Sequence, residues 1–400
     1  MEYIQRKNRI TMKNPVKCKI VADNNMLFAI LYFIYLIKDF VFYGTTINTL
    51  IGSSISKLVT LTLHVLVIIL SSWLIFVKNR ITKKRIMEFA ILVIIAIMIA
   101  VQTGSTSFFD FILILFCMKC IDFNRALKTI LIMQTLMSGI IIALAYLGIT
   151  EMIIDTTNKS MGIRYAMGFT HPNRVGIISF EIICLILYCG KGKGGVKYII
   201  SVLISLTIYS IAKSRTALFL SMSIITAFYV YEVFGRRLNI HNVKRIAKFV
   251  ITLMCIAIVI FIAYLYKNQK IYCESTLVSR IRMAIIYYDA YSVNFFGNKI
   301  SSGTNTSLPG TALGYYYLDN APLEYLLRNG IMAFAFFVGC YCLSISKLIK
   351  NKRWSSLIIL LCYAIYGMVE TNPFSIVCNV FLLIFGYIIQ NKDEEIKSLK

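Results

Sequence analysis

The sequence predicts an all-α polytopic membrane protein, on the strength of its composition, its hydropathy pattern and the placement of its basic residues. Of its 400 residues, 58% are hydrophobic and 15% are charged. With a mean hydropathy of +0.74, the chain has too little polar surface to cover a soluble globule. Its apolar residues fall into runs near the length of about 20 residues that a helix needs to cross a bilayer.

Twelve such runs follow one another along the chain and predict about twelve transmembrane helices. The fourth run is short and contains Asp110 and Lys119, so the placement of basic residues has to decide whether it is a separate span. The runs lie at 24–43, 58–77, 86–103, 105–121, 127–148, 174–190, 196–212, 216–234, 247–266, 329–349, 354–371 and 373–391. The resulting segments are a basic N-terminal segment at 1–25, nine helices with short loops at 26–266, one large loop at 267–328, three helices at 329–391 and a tail at 392–400.

Basic residues indicate how these helices are oriented. The net charge of +24 is distributed in short clusters between the apolar runs, which indicates topology and argues against a nucleic-acid-binding face. With twelve spans and a cytoplasmic N-terminus, most of the 42 lysines and arginines fall on the cytoplasmic side, as the positive-inside rule requires. The sequence therefore predicts that both termini are cytoplasmic and that the large loop is extracytoplasmic.

Four arginines on the predicted outer side are exceptions to this rule: Arg164, Arg215, Arg280 and Arg282. Charged residues at membrane level are costly to place and usually have a partner. Each could extend to lipid headgroups, but together they come from three separate outer segments. A shared anionic ligand accounts for all four, and a diphosphate matches the planar fork of arginine. A phosphate held at the membrane surface in turn implies a lipid tail.

The large outer loop also contains aromatic and small polar residues suited to sugars. Tyr287 lies in it with several other tyrosines, followed by the stretch "GNKISSGTNTS" at 297–307. Tyrosine rings stack on the C–H surfaces of sugars, although tyrosines near a membrane are also typical of the interfacial aromatic belt. The residues alone thus predict a protein that handles a lipid-diphosphate glycan at the outer face of the membrane.

The sequence predicts neither a metal nor a cofactor. No Asp-x-Asp occurs, and no His, Asp and Glu residues cluster at metal-ligand spacing. The eleven cysteines show no regular spacing and are interpreted as small buried side chains. The stretch "GKGKGGVK" at 190–197 lacks the P-loop spacing and is interpreted as a basic turn.

Four stretches follow one another along the chain: "GFTHPNRVG" at 168–176, "KSRTAL" at 213–218, "SRIRMAIIYYDAYSVNFFGN" at 279–298 and "LDNAPLEYLLRNGIMAF" at 318–334. In this order they resemble the O-antigen and capsular polysaccharide polymerases of the Wzy type and the related O-antigen ligases. Their order, with the large outer loop between the ninth and tenth predicted spans, is more specific than any one of them. The resemblance covers roughly residues 165 to 350, and the rest of the chain is similar only in its hydrophobic topology.

The resemblance implies a metal-independent glycosyltransferase of the bacterial plasma membrane. Its substrates would be undecaprenyl-diphosphate-linked oligosaccharides, with a growing glycan transferred from its carrier to a lipid-linked repeat unit on the outer face. Because the leaving group is already activated, the protein has to neutralise its charge, orient the acceptor hydroxyl and remove the hydroxyl proton. The implied partners are membrane lipids, a flippase and a chain-length regulator, and no nucleic acid.

The general base is predicted from a departure from the family pattern. Where many members have a histidine before an asparagine in the large loop, this chain has Asp319 and Asn320. Asp319 is therefore the predicted base and Asn320 a substrate-orienting residue, although Asp319 could equally cap the helix that begins near Ala321. Glu324, one turn further on, is a competing base, and so is His171.

The remaining polar residues of interest lie outside the large loop. His171 and Asn173 belong to the "GFTHPNRVG" stretch, where Asn173 is predicted either to orient the substrate or to cap the sixth predicted span. His64 lies inside the second span and is interpreted as a packed helix residue. His241 lies in an inner basic loop and is interpreted as a bystander.

Three other functions stay open from the sequence. An O-antigen-ligase-like transferase would share nearly every motif and differ only in its acceptor. A flippase for lipid-linked oligosaccharides would need two pseudo-symmetric halves and charges along a path through the bilayer. The chain has few charges at depth, namely Asp39, Asp110 and Glu181. A non-catalytic membrane scaffold is the third alternative.

Overall fold

The computed structural model describes residues 15–79, 82–119, 121–156, 162–190, 194–234, 276–312 and 314–391. Within these ranges the chain is mostly helical, with two short β-hairpins. The predicted ninth span, the inner loop with His241 and the tail at 392–400 lie outside the described residues.

The first half of the chain alternates long helices with short connections. A π-helical turn, Ile37–Phe42, extends α1, and a second one, Trp73–Lys78, extends α3. The helices are α1 (Pro15–Leu36), α2 (Ile47–Ile51), α3 (Ser53–Ser72), α4 (Lys83–Thr103), α5 (Ser107–Cys117), α6 (Phe123–Tyr146), α7 (Pro172–Cys189), α8 (Val196–Ala212) and α9 (Arg215–Phe234). Strands β1 (Ile154–Asp155) and β2 (Arg164–Tyr165) form an antiparallel hairpin between α6 and α7.

The second half contains a segment at 276–320, which we call the outer segment after its predicted position, and a helical C-terminal region. Its elements are α10 (Thr276–Ala290), β3 (Gly303–Thr306), β4 (Gly314–Tyr316), α11 (Ala321–Lys350), α12 (Trp354–Gly367) and α13 (Leu383–Gln390). Strands β3 and β4 pair in the antiparallel direction. Two 3₁₀ turns, Asn372–Phe374 and Val380–Leu382, connect α12 to α13.

Seven helical stretches in the described ranges are long and apolar enough to cross a membrane, and four shorter apolar helices accompany them. The prediction of an all-α membrane protein is confirmed at this level, whereas the number of twelve spans stays a prediction. Helices α3 and α4 leave most of their apolar side chains exposed, as lipid-facing helices do. Helix α7 is largely buried and packs against α6, α8, α9 and α12, so the bundle is built around it.

The last predicted span, 373–391, is not one continuous helix. Its first part is irregular, and Asn379 turns the chain at φ −152°, ψ 77° before the second 3₁₀ turn. The buried carboxylate of Glu181 accepts the Val380 N–H at 2.6 Å, and the Asn379 side chain donates to the Pro373 carbonyl at 2.9 Å. Irregular backbone at membrane depth is tolerated where protein groups satisfy it, and these bonds do so. The preceding predicted span, 354–371, likewise ends as a helix at Gly367.

The outer segment packs on a kink in α11. Gly330 adopts φ +81°, and a Cβ there would come within 2.4 Å of the Phe295 carbonyl oxygen, so only glycine fits. The kink releases backbone N–H groups from the helix, and the Ile331 N–H donates to the Asn294 carbonyl at 3.0 Å. On the other side, the Asn298 N–H donates to Leu327 at 2.9 Å. These bonds fix the outer segment against the membrane helices.

Candidate functional site

The "HPN" sequence at 171–173 starts α7 and sets the direction of the side chains around it. His171 is extended, at φ −159° and ψ 145°, and its Nδ1 accepts the Asn173 N–H at 3.1 Å. Pro172 occupies the first helical turn, where a missing N–H costs nothing. His171, and not Asn173, is therefore the N-cap, which corrects the alternative that Asn173 caps this helix. Burial and the nearby Arg164 lower the pKa of His171, which keeps Nδ1 free to accept.

The Asn173 side chain does not cap the helix and is directed to two charged groups, which it connects. Its Oδ1 accepts a short hydrogen bond from Nη2 of Arg164, and its Nδ2 donates to Oε1 of Glu370 at 3.2 Å. The N-terminus of α7 is thereby linked to the segment that follows α12.

Arg164 holds three parts of the fold together. Its Nη1 lies 3.1 Å from Oδ2 of Asp155, its cross-strand partner in the β1–β2 hairpin. Its Nε donates to the carbonyl of Ala212, the last residue of α8, at 3.1 Å. Nε and both Nη atoms thus already donate to protein oxygens in a buried position. The assignment of Arg164 to a diphosphate is not supported by this geometry, because the guanidinium would first have to leave all three partners.

Arg280 lies between two carboxylates. Its Nε is 3.3 Å from Oδ2 of Asp319, and its Nη2 is 3.3 Å from Oε1 of Glu370. Asp319 immediately precedes the N-cap of α11, and Glu370 lies three residues after the end of α12. We name Arg164, Asn173, Arg280, Asp319 and Glu370 the arginine–carboxylate cluster. It joins the hairpin before α7, the outer segment and the end of α12.

The two carboxyl groups of the cluster, Asp319 and Glu370, both have raised pKa values. Burial, reinforced by Asp319, raises the pKa of Glu370 to about 8, against the opposing effect of Arg280 and Arg164. Burial also raises the pKa of Asp319, and Arg280 opposes this shift. The side chain of Asp319 is 30% exposed and that of Glu370 only 6%. Because burial disfavours negative charge most at Glu370, this deeper carboxyl is the preferred holder of a proton in the pair, and Asp319 is the more accessible group.

Asn320 and Glu324 have roles within α11. The Asn320 side chain caps the helix by accepting the Leu323 N–H at 2.9 Å, so Asp319 is not the cap. Glu324 forms an ion pair with Arg328 one turn later. As a competing base, Glu324 would therefore have to act while it is held by Arg328.

Tyr287 is part of the small core of the outer segment and does not line a sugar site. Its ring is fully buried, packs against Tyr291 and lies among Ala284 and Leu327. Its hydroxyl donates to the Ser301 carbonyl at 3.0 Å. The prediction that Tyr287 stacks on a sugar is corrected for this reason: neither face of the ring is accessible.

Arg215 and Arg282 are exposed, and the structure does not bring them into the cluster. Arg215 is the first residue of α9, three residues after Ala212, whose carbonyl binds Arg164. Arg282 lies on α10 two residues after Arg280. Of the four arginines predicted to share one anion, only Arg164 and Arg280 are cluster members, and both are already paired with carboxylates.

Glu370 is the functional candidate that the sequence pattern does not reveal. It lies at the end of the apolar run 354–371, where the hydropathy pattern treats it as part of a span. Its residue type could nevertheless have indicated a functional role. Only 18 of the 400 residues are acidic, and a carboxylate within an apolar run usually has a function.

Comparisons with protein-family models, with curated proteins and with solved structures find no match for this chain. The function of this chain is therefore inferred from its own residues. Among the described residues, no group of three or more His, Cys, Asp or Glu side chains could hold a metal ion.

Proposed function

We propose that this protein is a membrane-embedded glycosyltransferase that polymerises lipid-linked oligosaccharide repeat units at the outer face of a bacterial plasma membrane. The growing glycan leaves its undecaprenyl diphosphate carrier and is joined to an acceptor hydroxyl of another lipid-linked unit. The observation that carries the proposal is the arginine–carboxylate cluster. Three of the four sequence stretches that resemble the polymerases contribute a residue to it: Asn173, Arg280 and Asp319.

In this proposal Asp319 is the general base. Its carboxylate is the accessible member of the pair, and Arg280 holds it in place at 3.3 Å. Its raised pKa brings its basicity closer to the working pH, where a general base is most effective. Glu370 keeps the proton of the pair and so prevents two negative charges from facing each other across Arg280.

The bond changes of the transfer balance with this assignment. The acceptor oxygen forms a bond to the anomeric carbon of the donor glycan, and the bond between that carbon and the diphosphate oxygen breaks. The diphosphate leaves with the electron pair, and the acceptor proton passes to Asp319. Asn173 and Arg280 position the two carboxyl groups through their hydrogen bonds.

The proposed topology has twelve spans, cytoplasmic termini and an extracytoplasmic segment at 267–328. Single cysteines introduced at Ser302 and Asn239 in a cysteine-free background test it. The first should react with an impermeant reagent in intact cells, and the second only after the membrane is permeabilised. Labelling of position 239 in intact cells would reverse the orientation and place the cluster on the cytoplasmic side.

The test of the activity is a reconstitution. The purified protein in liposomes is given a lipid-linked repeat unit, and a ladder of longer lipid-linked glycans is expected. Products on an acceptor without a diphosphate carrier would instead identify a ligase-like transferase. Movement of the lipid across the bilayer without any new glycosidic bond would identify a flippase, and no change of either kind would contradict the proposal.

A further inference from the structure

A second polar region adjoins the cluster. It is a cavity of about 510 Å³ between the end of α1, the first half of α3, the α4–α5 connection, the start of α7 and the segment at 375–377. This volume lies within the range of small-ligand sites. Asn173 belongs to the cluster, and the next residue, Arg174, lines the cavity. Two sites are therefore joined at one helix N-terminus.

One part of the cavity lining is a group of ionisable side chains, and two of them, Lys38 and Asp110, are buried. The Lys38 Nζ lies 2.5 Å from Oδ2 of Asp110 and 3.2 Å from Oδ1 of Asp39. On the other side of the same carboxylate, Nδ1 of His64 lies 3.2 Å from Oδ1 of Asp110. His64 is thus not the plain packed helix residue that its sequence context suggests. Buried ionisable groups in a membrane domain are costly and usually functional, and here they line an open cavity.

The charges that remain available in the cavity are positive. Lys38 offsets one of the two carboxylates, and Lys57 and Arg174 then outweigh the other, so the lining carries one more positive than negative charge. Lys57 is exposed, and the buried Nε of Arg174 has no hydrogen-bond acceptor among the described residues. Arg174 is held close to the backbone, since a Cβ at Gly44 would come within 2.9 Å of its guanidinium. A guanidinium that lines a cavity and has an N–H without an acceptor is suited to an oxyanion.

Two helix N-termini add to the positive electrostatic potential of the cavity. Residues 104–107, which lead into α5, line the cavity, and so does Arg174 in the first turn of α7. The N-terminal end of a helix favours negative charge. Ser105 and Ser107 supply hydroxyl groups there, 3.0 Å apart.

The cluster has the opposite balance. Arg164 and Arg280 face the three carboxyl groups of Asp155, Asp319 and Glu370. The cavity has Lys38, Lys57 and Arg174 against two carboxylates. An approaching phosphate would meet no net attraction in the cluster and net attraction in the cavity.

We infer that the cavity, and not the cluster, binds the phosphate groups of the substrate, with Arg174 as the principal ligand and Lys57 as the second. This inference rests on the proposed function for the identity of the substrate, a polyprenyl diphosphate, but phosphate binding itself does not depend on it. The leaving diphosphate is stabilised by Arg174 while the acceptor proton goes to Asp319 in the adjoining cluster.

The test is direct binding of pyrophosphate and of a polyprenyl diphosphate to the purified full-length protein in nanodiscs, without acceptor and without turnover. Arg174→Gln is expected to weaken binding by at least about tenfold, since it removes a charge-assisted contact. Arg125→Gln is the matched control, because Arg125 lies at the start of α6 and pairs on the surface with Asp122.

A second variant guards against misfolding. Ser107→Glu adds a carboxylate at an exposed position in the first turn of α5, where it is compatible with the helix dipole. It should abolish binding of both ligands while the melting temperature is retained. Ser54→Glu is the control, since Ser54 is equally exposed in the first turn of α3 and does not line the cavity.

The binding measurements distinguish a lipid headgroup from a free phosphate ligand. Tighter binding of the lipid form, lost in Arg174→Gln and Ser107→Glu, supports a lipid headgroup; equal binding of pyrophosphate with the same losses supports a free phosphate ligand in the same cavity. Binding that neither substitution changes, or no binding at all, overturns the inference. If Ser107→Glu polymerises with an unchanged KM for the donor, the cavity assignment fails while the proposed function stands. If the protein binds diphosphate but makes no glycosidic bond, the proposed function fails alone.

Discussion

The arginine–carboxylate cluster and the cavity meet at the N-terminus of α7, and they use their charges differently. In the cluster, every arginine is paired with a carboxylate, and Asn173 connects the two pairs. In the cavity, three cations face two carboxylates, and the buried Nε of Arg174 is left without an acceptor among the described residues. A cluster of paired charges is suited to moving a proton, and a site with an unpaired guanidinium N–H is suited to binding an anion.

The difference shows why an arginine on the outer side of a membrane protein is not by itself an anion ligand. Arg164 and Arg280 have the residue type and the predicted side of the membrane that a diphosphate site needs, but their donors are directed to protein carboxylates. Whether an arginine can bind an anion depends on whether protein groups already accept its hydrogen bonds, and not on its residue type. Variants that affect one region and not the other test this division.

The largest effect is expected for Asp319→Asn. Asparagine keeps the size of the side chain but cannot take the acceptor proton, and loss of a general base typically lowers the rate by about 10²- to 10⁴-fold. Because Asn320 provides the cap of α11, the variant should fold normally. The measurement is the rate of glycan elongation in liposomes, with diphosphate binding measured on the same preparation.

The division between the two regions predicts that Asp319→Asn leaves diphosphate binding unchanged, because the residue is in the cluster. Asp319→Ala should behave in the same way. Normal elongation in both variants would move the base to Glu370, Glu324 or His171, and a loss of diphosphate binding would show that the two regions are one site.

A smaller but clear effect is expected when the two arginines of α10 are compared. Arg280→Gln leaves Asp319 and Glu370 without their shared partner, and a lost charge-assisted contact of about 1.5–3 kcal/mol corresponds to roughly a 10- to 150-fold lower elongation rate. Arg282→Gln changes an exposed residue two positions away and should lower the rate less than twofold. Equal losses in the two variants would indicate that both bind the diphosphate, as the sequence alone suggests.

Much of this organisation can be predicted from the sequence. The apolar runs predict most of the helices, because an uninterrupted apolar run of this length is typical of a membrane-spanning helix and of few other structures. The sequence stretches that contain Asn173, Arg280 and Asp319 are also recognisable as site segments, and these side chains converge within hydrogen-bond or ion-pair distance of Glu370 or Arg280. Polar residues at the outer ends of apolar runs are exceptional enough to be recognised without a structure.

Partners distant in the sequence could not be predicted in this way. Glu370 meets Asn173 across nearly 200 positions, and no local pattern encodes that contact. Asp110 pairs with Lys38 and lies beside His64 because α1, α3 and α5 pack together, which hydropathy does not specify. Tyr287 has the composition of a sugar-binding residue but is buried, and burial depends on how the outer segment folds onto itself.

The pH dependence of the cluster gives a further prediction. Elongation should increase as the pH rises through the raised pKa of Asp319, because the base has to be ionised. It should decrease again above about pH 8, where Glu370 loses its proton and two carboxylates face Arg280. Glu370→Gln keeps a neutral side chain at every pH, so the decrease on the alkaline side should disappear. An unchanged alkaline limb in this variant would contradict the role of Glu370.

The free energy of unfolding should also depend on the protonation of Glu370. The pKa of Glu370 is raised on folding from its ordinary value of 4.5 to about 8, so the folded state holds this proton more tightly than the unfolded state. Its contribution is therefore fully present below about pH 4.5 and is lost as the pH rises through about 8. The melting temperature of the wild-type protein should decrease between pH 6 and 9 by more than that of Glu370→Gln. Parallel curves would place the titrating group elsewhere.

The smallest effect is expected for Tyr287→Phe, which tests a residue that belongs to neither region. The substitution removes the hydrogen bond from the hydroxyl to the Ser301 carbonyl and keeps the ring that packs against Tyr291. We expect a loss of about 0.5–1.5 kcal/mol in the free energy of unfolding, with elongation rate and donor KM unchanged. Tyr287→Ala should destabilise the outer segment far more, because it opens a cavity in its small core. A raised KM for glycan in Tyr287→Phe at unchanged stability would instead require the ring to reach the substrate, and with it a rearrangement of the outer segment during turnover.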